Sequence, residues 1–271
     1  MSMPSRVAVV TGGGRGIGRA MALALAATGS RVIVSAAREP IEIEAVADEA
    51  QRRFGERRVE AVAADVTRED DCVRLVAAAI DRFGRLDVLV NNAGRGMRHV
   101  SETFLTEPTR FWDVAPEVWR MVIDTNVVGP FLMARAAAPA MIAAGWGRIV
   151  NVSMNRDTMR RRGFSPYGPS KAALESETAI WAQDLDGTGV TVNALLPGGA
   201  TLTGMIPDGV AQEIRAQFLD PAIMGPPLLW LASERSDGVT GRRLVASRWR
   251  ADLPEAEAAE IASDAAGWAV S

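Results

Sequence analysis

The feature that most limits how this chain can fold lies at its start. Arg6-Val7-Ala8-Val9-Val10-Thr11 is a short β-branched run that ends directly in Gly12-Gly13-Gly14-Arg15-Gly16-Ile17-Gly18. An alanine- and leucine-rich helical segment follows over 19–27, and Gly29 closes it in the manner of a helix C-cap. Strand, glycine turn and helix in that order point backbone N–H groups and a helix N-terminus at a phosphate. The next apolar run, 31–36 (RVIVSA), completes a βαβ unit of roughly 30 residues. Two strands joined by a helix pair in parallel through a right-handed crossover, and that places the chain among layered α/β folds.

The rest of the chain keeps the alternation. Helical patterns over 41–54 and 69–83 lead to strand patterns over 58–64 and 86–90. Helical pattern dominates 116–144, with breaks expected at Gly129-Pro130 and Pro139. Strand 148–152, helix 166–185 and strand 190–196 come next, then helices near 210–218 and 221–232 and a last strand near 242–245. No linker, tandem repeat or low-complexity block interrupts the series. The expectation is an α/β fold: a single-domain, doubly wound parallel sheet with helices on both faces over residues 1–250. Residues 251–271 form a C-terminal extension. In it Pro254 starts a short helix over 255–261, with Trp268 and Val270 as anchors on the body or a neighbouring subunit.

In such sheets ligands bind beyond the carboxyl ends of the strands. The loops expected there carry Gly12 to Gly18, Asp65-Val66, Asn91-Asn92-Ala93-Gly94, Ser153 and Pro197-Gly198, so the glycine and polar clusters converge on one rim.

Composition sharpens the reading at one place. Against 29 arginines the chain has one lysine, Lys171, and it stands four residues after the one tyrosine, Tyr167. On a helix that spacing puts both on one face, a turn apart. A phenol with a reference pKa of about 10 is a poor acid at neutral pH, and a nearby ammonium favours its ionised form. One cysteine, Cys72, and one histidine, His99, leave little material for a disulfide framework, a metal centre or a Ser-His-Asp triad. A net charge of −3 argues against a nucleic-acid binder. With no signal-like start and no run of about 18 apolar residues, a cytoplasmic chain with no membrane partner is expected.

Assembled in order, these residues resemble the short-chain dehydrogenase/reductase family from Val7 to about Trp249. Thr11-Gly12-x-x-x-Gly16-x-Gly18 matches the family's cofactor turn, Asp65-Val66 its adenine-contacting pair and Asn91-Asn92-Ala93-Gly94 its motif after the fourth strand. Asn126, Ser153, Tyr167 and Lys171 fall where the catalytic Asn, Ser, Tyr and Lys belong. The resemblance implies a Rossmann fold and an NAD(P)-dependent oxidoreductase acting on a carbonyl or secondary alcohol. In it Tyr167 exchanges the proton with the substrate oxygen and Lys171 lowers the Tyr167 pKa and binds the nicotinamide ribose. Ser153 polarises the carbonyl and Asn126 holds a water of the proton relay. The implied cofactor site comprises Gly12, Arg15, Gly16, Ile17, Gly18, Arg38, Asp65, Val66, Asn92, Ala93, Gly94, Tyr167, Lys171, Pro197, Gly198 and Thr203. One departure stands out. The family's serine commonly lies thirteen residues before the tyrosine, where this chain has Met154, so Ser153 needs a loop one residue longer, and Asn155 is a rival donor.

Cofactor and substrate are read with less help. The second strand ends in Ser35-Ala36-Ala37-Arg38 with no acid until Glu39, and Arg15 and Arg38 suit a 2′-phosphate, so NADP is expected, with NAD as the alternative. The segment between Gly94 and Asn126 is longer than the family leads one to expect and carries Arg95, Arg98, His99, Phe104, Phe111, Trp112 and Trp119. With Arg160-Arg161-Arg162 it suits either an anionic substrate or plain solvated charge. Residues 204–220, with Met205, Ile206 and Phe218, read as a substrate lid. Trp112, Trp119, Trp146, Trp181 and Trp230 read as core or interface. The family's usual assembly implies a homodimer or homotetramer through the helices at 116–144 and 166–185. A reductase of a small-molecule ketone leads; a non-redox epimerase or lyase and a non-catalytic NADP-binding regulator are the other classes.

Overall fold

β1 (Val7–Thr11), β2 (Arg31–Ala36), β3 (Val59–Ala63), β4 (Val88–Asn91), β5 (Gly147–Val152), β6 (Val190–Leu196), β7 (Arg242–Val245) and β8 (Ser263–Ala265) form one sheet. The structure is a computed structural model that describes residues 5–268, so the anchoring expected of Val270 lies outside the described residues. The strand order is β3-β2-β1-β4-β5-β6-β7-β8, and every pairing is parallel except β7 with β8. Between β1 and β4 the direction of winding reverses, and the crevice opened by that reversal is where such sheets bind ligands.

The central strands β1, β4, β5 and β6 are buried on both faces, so their side chains divide by the two-residue alternation. Ala8, Val10, Val34 and Val90 face one way and join a core with Met21 and Leu25 of α1 (Gly16–Ala27) and Ile43 and Val46 of α2 (Pro40–Phe54). Val9, Ile33 and Leu89 face the other way, onto Leu75 and Val76 of α3 (Glu69–Phe83). α3 shows why these segments are helical. Cys72, Leu75, Val76 and Ala79 recur on one buried stripe, three acids occupy the first turn and Arg82 the last, and Gly84 ends it in a left-handed turn at φ 78°.

α4 (Pro116–Ile123) runs through a π-helical turn, Asp124–Val128, into α5 (Gly129–Ala143). The break expected at Gly129-Pro130 becomes this change of winding: Pro130 falls in the first turn of the new register, where its missing N–H costs nothing. The break expected at Pro139 does not occur, and the helix passes through it. The 28-residue rod has a mean hydropathy of 1.2 over 18 residues, enough to cross a membrane by length and composition only, although Asp124 and Arg135 interrupt its apolar run. In the fold Met133, Ala137 and Met141 of the rod pack onto Leu75, Leu89 and Ile149.

The short α6 (Arg156–Met159) precedes α7 (Tyr167–Asp184), and α8 (Gln212–Arg215), α9 (Gly225–Leu231) and α10 (Glu255–Ala262) complete the chain. α1 begins at Gly16, earlier than the pattern from Arg19, because the glycine turn itself winds into the helix. In the tail, the helix α10 follows directly on Pro254. β8 does not appear in the sequence pattern; Ser263–Ala265 becomes a strand only because Arg242–Leu244 offers it an edge. Of the tryptophans, Trp230 is buried and Trp146 lies under the guanidinium groups of Arg6 and Arg148, 3.7 and 3.9 Å from its ring. Trp112 and Trp119 are exposed in this chain.

Candidate active site

A cleft of about 790 Å³ opens above the switch between β1 and β4. One end is built by the glycine turn. Gly12 adopts φ +62°, and a Cβ there would lie 2.9 Å from the Ala93 backbone. A Cβ on Gly18 would lie 2.2 Å from the Gly12 carbonyl. The turn therefore keeps a bare backbone at the mouth of α1, whose N-terminus has no side-chain cap. Those open N–H groups, in a cradle that any side chain would fill, fit a dinucleotide pyrophosphate.

The residues after β4 support that turn. Thr11 Oγ1 accepts from the N–H groups of Asn92 and Ala93, both at 3.0 Å, and Asn92 Nδ2 donates to the carbonyls of Thr11 and Gly12, both at 2.9 Å. Asn92 thus holds the turn in shape. Asp65 Oδ1 caps its own turn by accepting from Thr67 N and Oγ1 at 3.0 and 2.8 Å, while Val66 is buried against Gly129. Ile17, Gly94, Pro197, Gly198 and Thr203 all line the cleft, and Thr203, in the segment after β6, lies against Gly16.

Positive charge gathers at this end. Arg15 is exposed and pairs with Glu42 at 3.2 Å, whereas Arg38 and Arg95 have no carboxylate at ion-pair distance among the described residues. Burial, then the neighbouring Arg38 and Arg15, lower the Arg95 pKa, with Asp65 opposing them. Arg95 also reaches His99 Nε2 at 3.3 Å, and burial with the surrounding arginines lowers the imidazole pKa, which keeps His99 neutral. Arg95 was grouped by sequence with the substrate side; the structure puts it in the cationic set.

The other end carries the proton chemistry. Tyr167 opens α7, and Gly168 is required behind it because a Cβ there would meet the Met159 carbonyl at 2.2 Å. Lys171, buried one turn on, donates to the Val152 carbonyl at 2.7 Å. Both side chains line the cleft. Their shifts differ from the expectation: burial pushes the Tyr167 phenol up to about 12, and burial, partly offset by Glu175, takes Lys171 down to about 8. Desolvation disfavours both charged forms, and here it outweighs any attraction between them.

Ser153 follows β5, with its N–H on the Leu195 carbonyl at 2.9 Å. Its Oγ is buried, lines the cleft and has no hydrogen-bond partner. A buried hydroxyl without a partner is an exception that calls for a reason. Asn155 differs, since its Nδ2 donates to the Gly198 carbonyl at 2.9 Å. Met154 packs with Val100 and Leu105 on a small apolar cluster of Met97, Phe104 and Phe164, which Tyr167 also touches. Asn126, in the π-helical turn, is fully buried: Oδ1 accepts from Arg95 N at 2.7 Å, and Nδ2 donates to Arg95 O and Ser170 Oγ, both at 2.9 Å. Its amide ties the loop after β4 to α7, with both Nδ2 protons used and one acceptor position left on Oδ1.

Phe104 and Phe164 meet edge to face at 6.0 Å, so the long segment after Gly94 folds back as an apolar wall. Met205 and Ile206, from the segment expected as a lid, complete it, while Phe218 does not line the cleft. Arg98, held by Glu102 on its own segment, joins that segment to residues 204–208 through the Gly204 carbonyl and Asp208. Of Arg160, Arg161 and Arg162, only Arg161 lines the cleft. Among the described residues no cluster of His, Cys, Asp and Glu suits a metal.

Residues 6–213 match the family model described as short chain dehydrogenase. The chain is 38% identical over 226 residues to a 3-oxoacyl-[acyl-carrier-protein] reductase of Synechocystis sp., covering 83% of this chain and 86% of that protein. It is 33% identical over 252 residues to an acetoacetyl-CoA reductase of Shinella zoogloeoides, covering 90% and 97%. A crystal structure described as a putative short-chain alcohol dehydrogenase from Sinorhizobium meliloti 1021 superposes with a TM-score of 0.78 at 30% identity, covering 90% of this chain and 96% of the other.

Proposed function

The chain belongs to the short-chain dehydrogenase/reductase family of oxidoreductases, and from that premise we propose that it reduces the ketone of a 3-oxoacyl thioester or a similar small molecule, with NADPH. The observation that carries the reading is the unpartnered Ser153 hydroxyl, buried in the same cleft as Tyr167 and Lys171. A donor without a partner inside the protein is free to meet a substrate oxygen.

The glycine turn, Gly94, Pro197 and Gly198 would hold the dinucleotide, and when bound it supplies the hydride. The protein's own part is proton transfer and orientation. Tyr167, with a phenol held up to about 12, stays protonated through the physiological range and gives its proton to the substrate oxygen. Ser153 donates a hydrogen bond to the same oxygen as charge develops on it. Lys171, as a cation, stabilises the phenolate left behind. Asn126 positions the loop after β4. The apolar wall of Met97, Phe104, Phe164, Met205 and Ile206 suits an aliphatic chain next to the ketone, and Arg161 suits an anionic end. Arg38 and Arg95, with no carboxylate at ion-pair distance among the described residues, support a 2′-phosphate.

Tyr167→Phe tests the assignment with NADPH and acetoacetyl-CoA. Turnover falls by about 10²–10⁴-fold, while NADPH affinity, read by fluorescence titration, stays within several-fold. Full activity in that variant would overturn the mechanism.

A further inference from the structure

Glu175 and Arg243 form an ion pair with almost no solvent contact, at 1% and 4% exposure. Arg243 Nε faces both carboxylate oxygens of Glu175 at 3.2 Å. Glu175 lies on α7 one turn after Lys171, as Lys171 lies one turn after Tyr167. The other edges of the guanidinium are also occupied. Nη2 donates to the Met154 carbonyl at 3.0 Å, and Nη1 approaches Asp264 of β8 at 3.8 Å. A cavity of about 380 Å³ touches Asn155, Gly198, Arg243 and Asp264, so the far side of the pair faces a polar space. Three directions of one planar group thus reach the catalytic helix, the loop beside Ser153 and the C-terminal strand, a reach that a lysine ammonium would not reproduce.

Stability alone is a poor reason for such a pair. Well-packed apolar residues of similar volume often serve as well as a buried ion pair. Its location is more informative. Lys171 donates to the Val152 carbonyl of β5 and has Tyr167 one turn before it and Glu175 one turn after it on α7, with Arg243 of β7 paired to Glu175 and Asp264 and Arg248 beyond. We propose that the buried Glu175–Arg243 pair is a positioning device of the catalytic site, which keeps Lys171 a cation from the α7 side and, through the Met154 carbonyl, pins the loop that presents Ser153. The proposal rests on the role given to Lys171 above.

Because the chain has one lysine and one tyrosine, the two groups report on themselves. In protein made with ε-¹⁵N-lysine, one side-chain resonance follows Lys171 through a pH titration, and absorbance at 295 nm follows Tyr167; neither readout needs a substrate. The wild-type lysine midpoint is expected near the value of about 8 set by burial. In Glu175→Gln it falls by about one pH unit or more, because the nearest negative charge is gone. Glu175→Asp recovers most of the loss. The double variant Glu175→Met, Arg243→Met replaces the pair with apolar bulk and lowers the midpoint by less, since it removes a positive charge as well. If the single variant does not fold, the double variant decides. A folded variant whose lysine midpoint equals that of wild type overturns the proposal and leaves the pair as packing. Inactivity of the wild type toward acetoacetyl-CoA would speak against the proposed function and would not touch this titration.

Discussion

Ser153 and Asn155 stand two residues apart in one loop, and their surroundings give them different work. The Ser153 hydroxyl is buried and unpartnered at the cleft, while the Asn155 amide is committed to the Gly198 carbonyl. Ser153→Ala therefore lowers kcat by about 10²–10³-fold, the usual cost of removing a donor to a developing oxyanion. Asn155→Ala loosens the loop and raises KM more than it lowers kcat; steady-state kinetics of the two variants separate the roles, and the reverse pattern would reassign them. Lys171 adds a pH dependence. Its pKa is lowered to about 8, so it is a cation below that value and neutral above it, and kcat/KM for reduction falls as pH rises through about 8. A profile flat from pH 7 to 9.5 would remove Lys171 from the mechanism. At this scale the sequence pointed to Tyr167 and Lys171 through rarity and spacing, and to Ser153 only through the family resemblance, one residue off the usual spacing. It did not reveal that Asn92 binds two carbonyls of the glycine turn or that Asn126 joins the loop after β4 to Ser170, because a side chain's partners depend on which loops the fold brings together.

The element that responds most to a single atom is the turn from β1 into α1. Gly18→Ala puts a Cβ where the Gly12 carbonyl lies, 2.2 Å away, so the turn must open. Loss of NADPH binding in a fluorescence titration, with the far-ultraviolet circular dichroism retained, is the expected outcome. Next to it, Glu42 holds Arg15 and competes with any phosphate for that guanidinium. Glu42→Gln should tighten NADPH by about twofold to fivefold, the scale of a surface ion pair, and leave NADH unchanged. Tighter binding of NADH than NADPH to wild type would sink the reading of the arginines. Elements with strong apolar periodicity, such as α3 and β1, were legible from their own residues. The π-helical turn at Asp124–Val128 was not, since it arises where α4 and α5 must both meet their neighbours. β8 was not either, because Ser-Asp-Ala has no strand pattern apart from the edge it joins.

Across the whole molecule, the C-terminal segment is joined to the sheet and to the catalytic loop. β8 pairs with β7, Ala259 of α10 enters the core on one face of the sheet, and Arg156 donates to the carbonyls of Ala265 and Gly267, both at 2.6 Å. A chain ending after Trp249 loses all three. It should melt several degrees lower, at roughly 2–4 °C per kcal/mol for a protein of this size, and lose more in kcat than in NADPH affinity. An unchanged melting temperature would show the segment to be an appendage. The thiol of Cys72 has a consequence of another kind. It is buried, its Sγ donates to the Val66 carbonyl at 3.4 Å, and burial pushes it up to about 12. The folded protein is therefore silent toward maleimides at neutral pH. Asp208→Cys, on the exposed segment after Gly204, would be the sole reactive thiol, and a dye there would test against a dark background whether that segment moves.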